Sequence, residues 1–226
     1  MKRTLILSLF TLNLLHLIAQ DTLRHEVLLQ TTMGDIRVAL CNETPRHRDN
    51  FLRLVREGYY DGNLFHRVIW NFMVQSGDST SRHAAPGQQL GYYSPDYTIP
   101  AEIVFPRLHH KRGALAAARE GDDVNPERAS SSAQFYIVYG KRLLPAQLDD
   151  VQRRLDHATG GQIQLTPELR DEYYRKGGTP HLDGQYTVFG EVVSGLDVVE
   201  RIQMVQTDAH DRPLDDVRII KATVVK

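Results

Sequence analysis

The run Phe65-His66-Arg67-Val68-Ile69-Trp70-Asn71-Phe72-Met73-Val74-Gln75-Ser76-Gly77-Asp78 sets one cation, Arg67, among alternating apolar residues. An aromatic follows five residues on, and an amide three further. Two apolar stretches, 64–69 and 72–74, read as strands broken by a turn at Trp70-Asn71. An arginine on a half-buried strand is costly unless it has a partner or a job. The chemistry a fixed guanidinium offers here is hydrogen bonding to a peptide carbonyl. Taken alone, Arg67 reads as a structural cation paired with a carboxylate. His66 alternates to the other face of the strand, which suits a core or hydrogen-bonding role better than acid–base work.

Other reactive residue types give weaker signals. Cys41 is the single cysteine, so no intrachain disulfide and no cysteine metal site can form. It ends an apolar run, 36–40, and reads as inert packing. His109-His110 lacks a properly spaced third ligand and reads as a solvated loop pair rather than a metal site. Trp70 reads either as a peptide-contacting aromatic or as a plug over a barrel edge. Tyr173-Tyr174 fits an amphipathic packing face, with a partner surface as the alternative.

The elements that must hold these residues are mostly strands. Segments 25–31 and 36–40 read as a hairpin joined at Met33-Gly34-Asp35. Thr44-Pro45 opens a helix with Phe51, Leu52 and Val55 on its buried face, and Gly58 ends it. Further strands are read at 113–118, 133–139, 185–193 and 217–225, and a second helix at 196–205. The polar loop 119–132 and the irregular stretch 79–112 are long enough to be functional. Segment 141–178 changes character, with helices expected at 145–155 and 166–176 around Gly160-Gly161. It reads as an exposed, solvated two-helix insertion between strands. About eight strands and two core helices favour a barrel or a sandwich.

The bulk numbers set the frame. With 226 residues and a formal net charge of −1, the chain suits one domain with an insertion. The near-neutral balance argues against nucleic acid and anionic membrane surfaces as partners. Met1-Lys2-Arg3, the leucine-rich stretch 4–18 and the small residue Ala19 read as a secretory signal peptide over residues 1–19. The apolar stretch is shorter than the ~20 residues a spanning helix needs. An uncleaved anchor is the alternative. The expectation is an exported, periplasmic mature chain, 22–226, that does not insert into the membrane and acts as a monomer.

Four blocks in order give the chain a resemblance to a family. They are 65–78, 113–119, 132–138 (Ser-Ala-Gln-Phe-Tyr-Ile-Val) and 182–190 (Leu-Asp-Gly-Gln-Tyr-Thr-Val-Phe-Gly). Together they resemble the cyclophilins, peptidyl-prolyl cis-trans isomerases, and among them the exported bacterial members. The resemblance spans roughly 26–226, interrupted by the insertion. It implies a mainly β fold, an eight-stranded antiparallel closed barrel capped by two helices. It implies proline-containing polypeptides as partners and no cofactor.

Residue by residue, the resemblance makes Arg67 the catalytic arginine, with Phe72 and Gln75 beside it. It has Phe72, Met73, Phe135 and Leu182 line a proline pocket. Gln75 would hold the arginine and touch the substrate backbone. Gln134 and the backbone of Ala118 and Arg119 would bind the peptide as an extended strand, and Tyr186 takes the place of the family's pocket histidine. The chain departs from better-known members at Trp70-Asn71 (Pro-Gly), His181 (tryptophan) and Arg119 (asparagine). The His181 change argues against tight cyclosporin binding. The implied function is acceleration of X-Pro rotation during folding of exported proteins. A proline-peptide binding module or chaperone with little turnover is the alternative.

Overall fold

The computed structural model describes residues 24–226. The expected signal segment, 1–19, lies outside them. Ten strands and four helices follow in chain order. They are β1 (Glu26–Thr31), β2 (Gly34–Leu40), α1 (Pro45–Arg56), β3 (Arg67–Ile69), β4 (Met73–Ser76), β5 (Thr98–Ile99), β6 (Ala114–Ala117), β7 (Ser130–Ser131), β8 (Phe135–Val138), α2 (Pro145–Thr159), α3 (Pro167–Arg175), β9 (Val188–Ser194), α4 (Leu196–Gln203) and β10 (Ile219–Val224).

Eight strands form one antiparallel sheet in the order β10-β1-β2-β9-β6-β8-β4-β3. The sheet curls, but its edge strands β10 and β3 do not pair along their length. Between them stand one bridge, Leu64 to Arg218, and backbone hydrogen bonds such as Phe65 N–H to Val217 O, 2.8 Å. The closed barrel expected from the resemblance is therefore an eight-stranded half-barrel, because β3 is too short to zip the seam.

Alternation decides what lies inside. Val27, Leu29, Ile36, Val38, Val74, Leu115, Ile137 and Ile219 all point inward and are fully buried. Helix α1 closes one end, setting Phe51, Leu52 and Val55 against β9 and β10. Pro45 starts it at a position where a missing N–H costs nothing. Helix α4 packs Val198, Val199 and Ile202 against β2, β3 and β4. Cys41 is buried, and that burial pushes its thiol pKa up, as befits packing.

The insertion is more than a flap. Its helices α2 and α3 share a small apolar core of Leu143, Leu148, Val151, Leu155, Leu165, Leu169 and Tyr173. Its two ends are clamped where Gly178 bridges both Lys111 and Lys141. At that stem a side chain on Gly140 would lie 2.4 Å from the Gly178 backbone, so the chains run flush.

Candidate active site

Strands β3 and β4 set Arg67 directly opposite Gln75, and Ile69 opposite Met73. Period two then puts Arg67, Met73 and Gln75 on the outer face, while Val68 and Val74 face inward. Strand β8 adds Tyr136 opposite Gln75 and Val138 opposite Met73. The turn Trp70-Asn71-Phe72 joins β3 to β4. Asn71 takes the left-handed φ of 55°, which asparagine tolerates, and its N–H donates to Gln203 Oε1 at 2.7 Å. Trp70 is 70% exposed, so it does not plug a barrel edge.

The outer face holds an open hollow of about 160 Å³. Phe72, Met73, Ala118, Tyr136, Leu182 and Tyr186 line it, with Arg67, Gln75 and Arg119 at its polar side. His181 stacks on Phe72, with ring centroids 5.5 Å apart. Burial against that neighbour lowers the His181 pKa to about 4, though the residue as a whole stays exposed, so water limits the energetic consequence. A second, polar hollow of about 320 Å³ lies on the other side of Arg67 and Gln75, between His66, Gln88, Tyr92, His210 and Asp211.

Arg67 finds its partner in Asp211. Arg67 Nε donates to Asp211 Oδ2 at 3.2 Å, with the two side chains 44% and 40% exposed. A pair this exposed contributes little stability and can open. Sequence reasoning missed Asp211, which lies 144 residues away, and gave the holding role to Gln75. Gln75 Nε2 instead donates to Gln134 Oε1 at 3.0 Å.

Two further expectations change. Phe135 does not line the hollow. It is 1% exposed inside the barrel, edge-on to Phe51 at 5.4 Å and to Tyr60 at 5.3 Å. The residue that faces the hollow is its neighbour, Tyr136, because adjacent strand residues face opposite ways. The period-two pattern of Gln75-Met73 across to β8 was the signal that could have found it. Gln134 is 7% exposed and outside the hollow, with its amide donating to Gly91 O at 2.8 Å and Tyr93 O at 3.1 Å. It ties the 91–93 loop to Gln75 rather than presenting donors to a peptide.

At the rim, Ala118 N–H donates to Gln134 O and Ala118 O accepts from Ser131 N–H, so its backbone is already paired. Arg119 folds over Tyr186, guanidinium 4.3 Å from the ring centroid, and donates through Nε to Gln185 O at 2.9 Å. His66 is 4% exposed and its ring nitrogens make no hydrogen bond of good geometry, although the Gln134 amide lies close. Burial lowers its pKa to about 4, which leaves it no acid–base role near neutrality. His109-His110 is not a solvated pair. His110 is 1% exposed, between Asp183 and Tyr136, and His109 meets Glu172 at 3.0 Å. Among the described residues, no group of three or more His, Cys, Asp or Glu is placed to hold a metal ion.

The family model for cyclophilin type peptidyl-prolyl cis-trans isomerase/CLD matches residues 26–224. The chain belongs to the cyclophilin-type peptidyl-prolyl cis-trans isomerases. Peptidyl-prolyl cis-trans isomerase CYP18-1 of Arabidopsis thaliana is 31% identical over 88% of this chain and 94% of that protein. A putative peptidyl-prolyl cis-trans isomerase of Staphylococcus aureus (strain USA300) is 34% identical over 86% of this chain and 88% of its own length. The fold matches a Cryptosporidium parvum cyclophilin at a TM-score of 0.63 and 22% identity, covering 90% of this chain and 99% of that one. The same cyclophilin in the presence of the dipeptide Ala-Pro matches at a TM-score of 0.61 and 22% identity, over 89% and 99%. Within this cyclophilin, the two-helix segment between β8 and β9 and the Arg67–Asp211 pair are features the resemblance alone did not supply.

Proposed function

We propose that the 160 Å³ hollow seats the proline ring of a substrate and that Arg67 stabilises the twisted amide beside it. The reaction class follows from the family, peptidyl-prolyl cis-trans isomerisation. The observation that carries the site is the convergence of Arg67, Phe72, Met73, Gln75, Tyr136 and Leu182 on one surface hollow, from β3, β4, β8 and the 180–182 turn. The C. parvum relative solved with Ala-Pro supports a proline peptide as the ligand class.

Amide resonance puts a barrier of ~18–20 kcal/mol on rotation about the peptide bond. Rotation makes and breaks no covalent bond, so the catalyst need only bind the twisted form better than either planar form. Twisting localises the lone pair on the prolyl nitrogen. A guanidinium within reach of the prolyl carbonyl and nitrogen stabilises that redistribution, and it stays charged at any physiological pH. Apolar walls of Phe72, Met73, Tyr136 and Leu182 grip the ring while the preceding residue turns. They also exclude water, which strengthens the field of Arg67. For this, Arg67 must exchange Asp211 for substrate, and the exposure of the pair allows it.

The reading includes an exported, monomeric enzyme that assists folding of secreted chains, whose slow steps include proline isomerisation. The leader-like segment 1–19 supports export. A binding module with little turnover draws on one observation, the Arg67–Asp211 pair, which competes with substrate for the cation. Exchange NMR of a short X-Pro peptide separates the two. Turnover by the chain that falls ~10²–10³-fold in Arg67→Ala, as for loss of a preorganised donor, establishes the enzyme reading. Peptide binding with no exchange enhancement establishes the module.

A further inference from the structure

We propose that Tyr173, on helix α3 of the insertion, is a positioning residue for the proline hollow. It acts through a buried chain of hydrogen bonds that ends on the hollow's wall. This rests on the reading of the hollow as the proline site. Tyr173 is fully buried and its hydroxyl donates to Asp183 Oδ2 at 2.6 Å. The other carboxylate oxygen, Asp183 Oδ1, accepts from His110 N–H at 2.8 Å and meets His110 Nδ1 at 2.9 Å. His110 Nε2 meets the Tyr136 hydroxyl at 3.0 Å, the two rings lying within 13° of parallel. Tyr136 lines the hollow.

The direction of each bond follows from chemistry. Burial raises both phenols well above their ordinary pKa, so each hydroxyl keeps a proton it can donate. A carboxylate accepts only, so Nδ1 of His110 carries the proton facing it. In the neutral Nδ1–H tautomer, which the test below reads directly, Nε2 accepts from the Tyr136 hydroxyl. The phenol oxygen is thereby held behind the wall, and the ring alone faces the proline. Asp183 also directly follows Leu182, so fixing its carboxylate fixes a second wall residue.

The insertion is fitted tightly where this chain begins. A side chain on Gly178 would lie 2.4 Å from His110 O and 2.7 Å from the Tyr173 ring. Thr179 N–H donates to His110 O at 2.9 Å in the same strip. Glu172, next to Tyr173, holds His109, next to His110. The insertion and the wall of the hollow are thus joined through one polar seam, and Tyr173 is the insertion's own contribution to it.

The test is peptide turnover across substrate concentrations in the full chain, Tyr173→Phe, Tyr136→Phe and the double variant. A wall that grips the ring equally in ground and transition states acts on KM. Tyr173→Phe should raise KM about fivefold, the equivalent of one net hydrogen bond, with kcat within about twofold. In the Tyr136→Phe background the same change should raise KM less, because only the Asp183–Leu182 branch then remains. An unchanged KM in folded Tyr173→Phe, or an equal rise in both backgrounds, overturns the proposal. If Tyr173→Phe does not fold, the imidazole 15N shifts of His110 in the unaltered chain decide. A proton on Nδ1 with a bare Nε2 is required, and the opposite tautomer overturns it. Failure of the unaltered chain to turn over any X-Pro peptide would instead remove the proline-site reading itself.

Discussion

Phe135 and Tyr136 are neighbours on β8 and meet different surroundings. Phe135 points inward and closes against Phe51 and Tyr60, sealed from water. Tyr136 points outward, against Met73, Ala116 and Val188, under a partial roof of Phe72, Leu182 and Tyr186. The inner cluster spans nearly every strand and both end helices. The outer one is a small patch left open enough to take a ring. Fold and site therefore share strands but not faces. Substitutions on β4, β6 and β8 should separate by parity, with inward positions acting on stability and outward ones on turnover.

The largest expected effect is at the inward neighbour. Phe135→Ala deletes a fully enclosed ring and should cost about 3–5 kcal/mol in urea unfolding. Its kcat/KM per folded molecule should fall far less than that of Arg67→Ala. A catalytic loss comparable to Arg67→Ala, at unchanged stability, would break the division by face. The outward counterpart, Arg67→Ala, should raise the barrier by about 2.7–4 kcal/mol while moving stability by no more than about 0.5 kcal/mol. A large loss of stability there would turn Arg67 back into a structural cation.

Between the faces sits His66, buried beside Gly91 under the polar hollow. Its pKa is about 4 in the folded chain against an ordinary 6.5. The unfolded chain therefore binds more protons between those values, and stability rises with pH across that window. The stabilisation is complete above about pH 6.5 and is lost as pH falls toward 4, on the order of 3 kcal/mol in all. Urea midpoints measured at pH 7, 5.5 and 4 check it. A His66→Gln variant should flatten that slope. An equal slope in the variant would assign the pH dependence to other groups, His47 first, whose pKa burial also lowers.

The strand order of the site was legible because apolar alternation and turn residues are local signals. The 65–78 run gave β3, the Trp70-Asn71 turn and β4, and the Thr44-Pro45 start gave α1. What was not legible depends on parity or on distance. Placing Phe135 in the hollow was a one-residue slip along β8, which reverses every side chain. The Asp211 partner of Arg67 and the burial of His110 against Asp183 join segments more than 70 residues apart, and no local pattern carries them. The insertion's helices showed in their capping and spacing, but its clamped stem and inward Tyr173 did not, because both exist only once Gly178 meets His110 and Lys141.

The smallest expected effect sharpens the comparison at its outer limit. Trp70 is the chain's single tryptophan, at the tip of the β3–β4 turn and 70% exposed. The turn is held without it, by Asn71 at a left-handed φ and its N–H on Gln203, and by Phe72 O accepting from Tyr139 and Gly140. Trp70→Ala should therefore change stability by no more than about 0.5 kcal/mol. It should leave turnover of a short X-Pro peptide unchanged, because Trp70 stands outside the hollow. A longer peptide can reach the turn, and an exposed aromatic beside a binding site is where such contact would add affinity. Comparing kcat/KM for a four-residue and a ten-residue peptide in the variant separates the cases. Loss confined to the longer peptide extends the outer face as far as the turn. Loss with the short peptide would mean that the hollow is wider than its present lining.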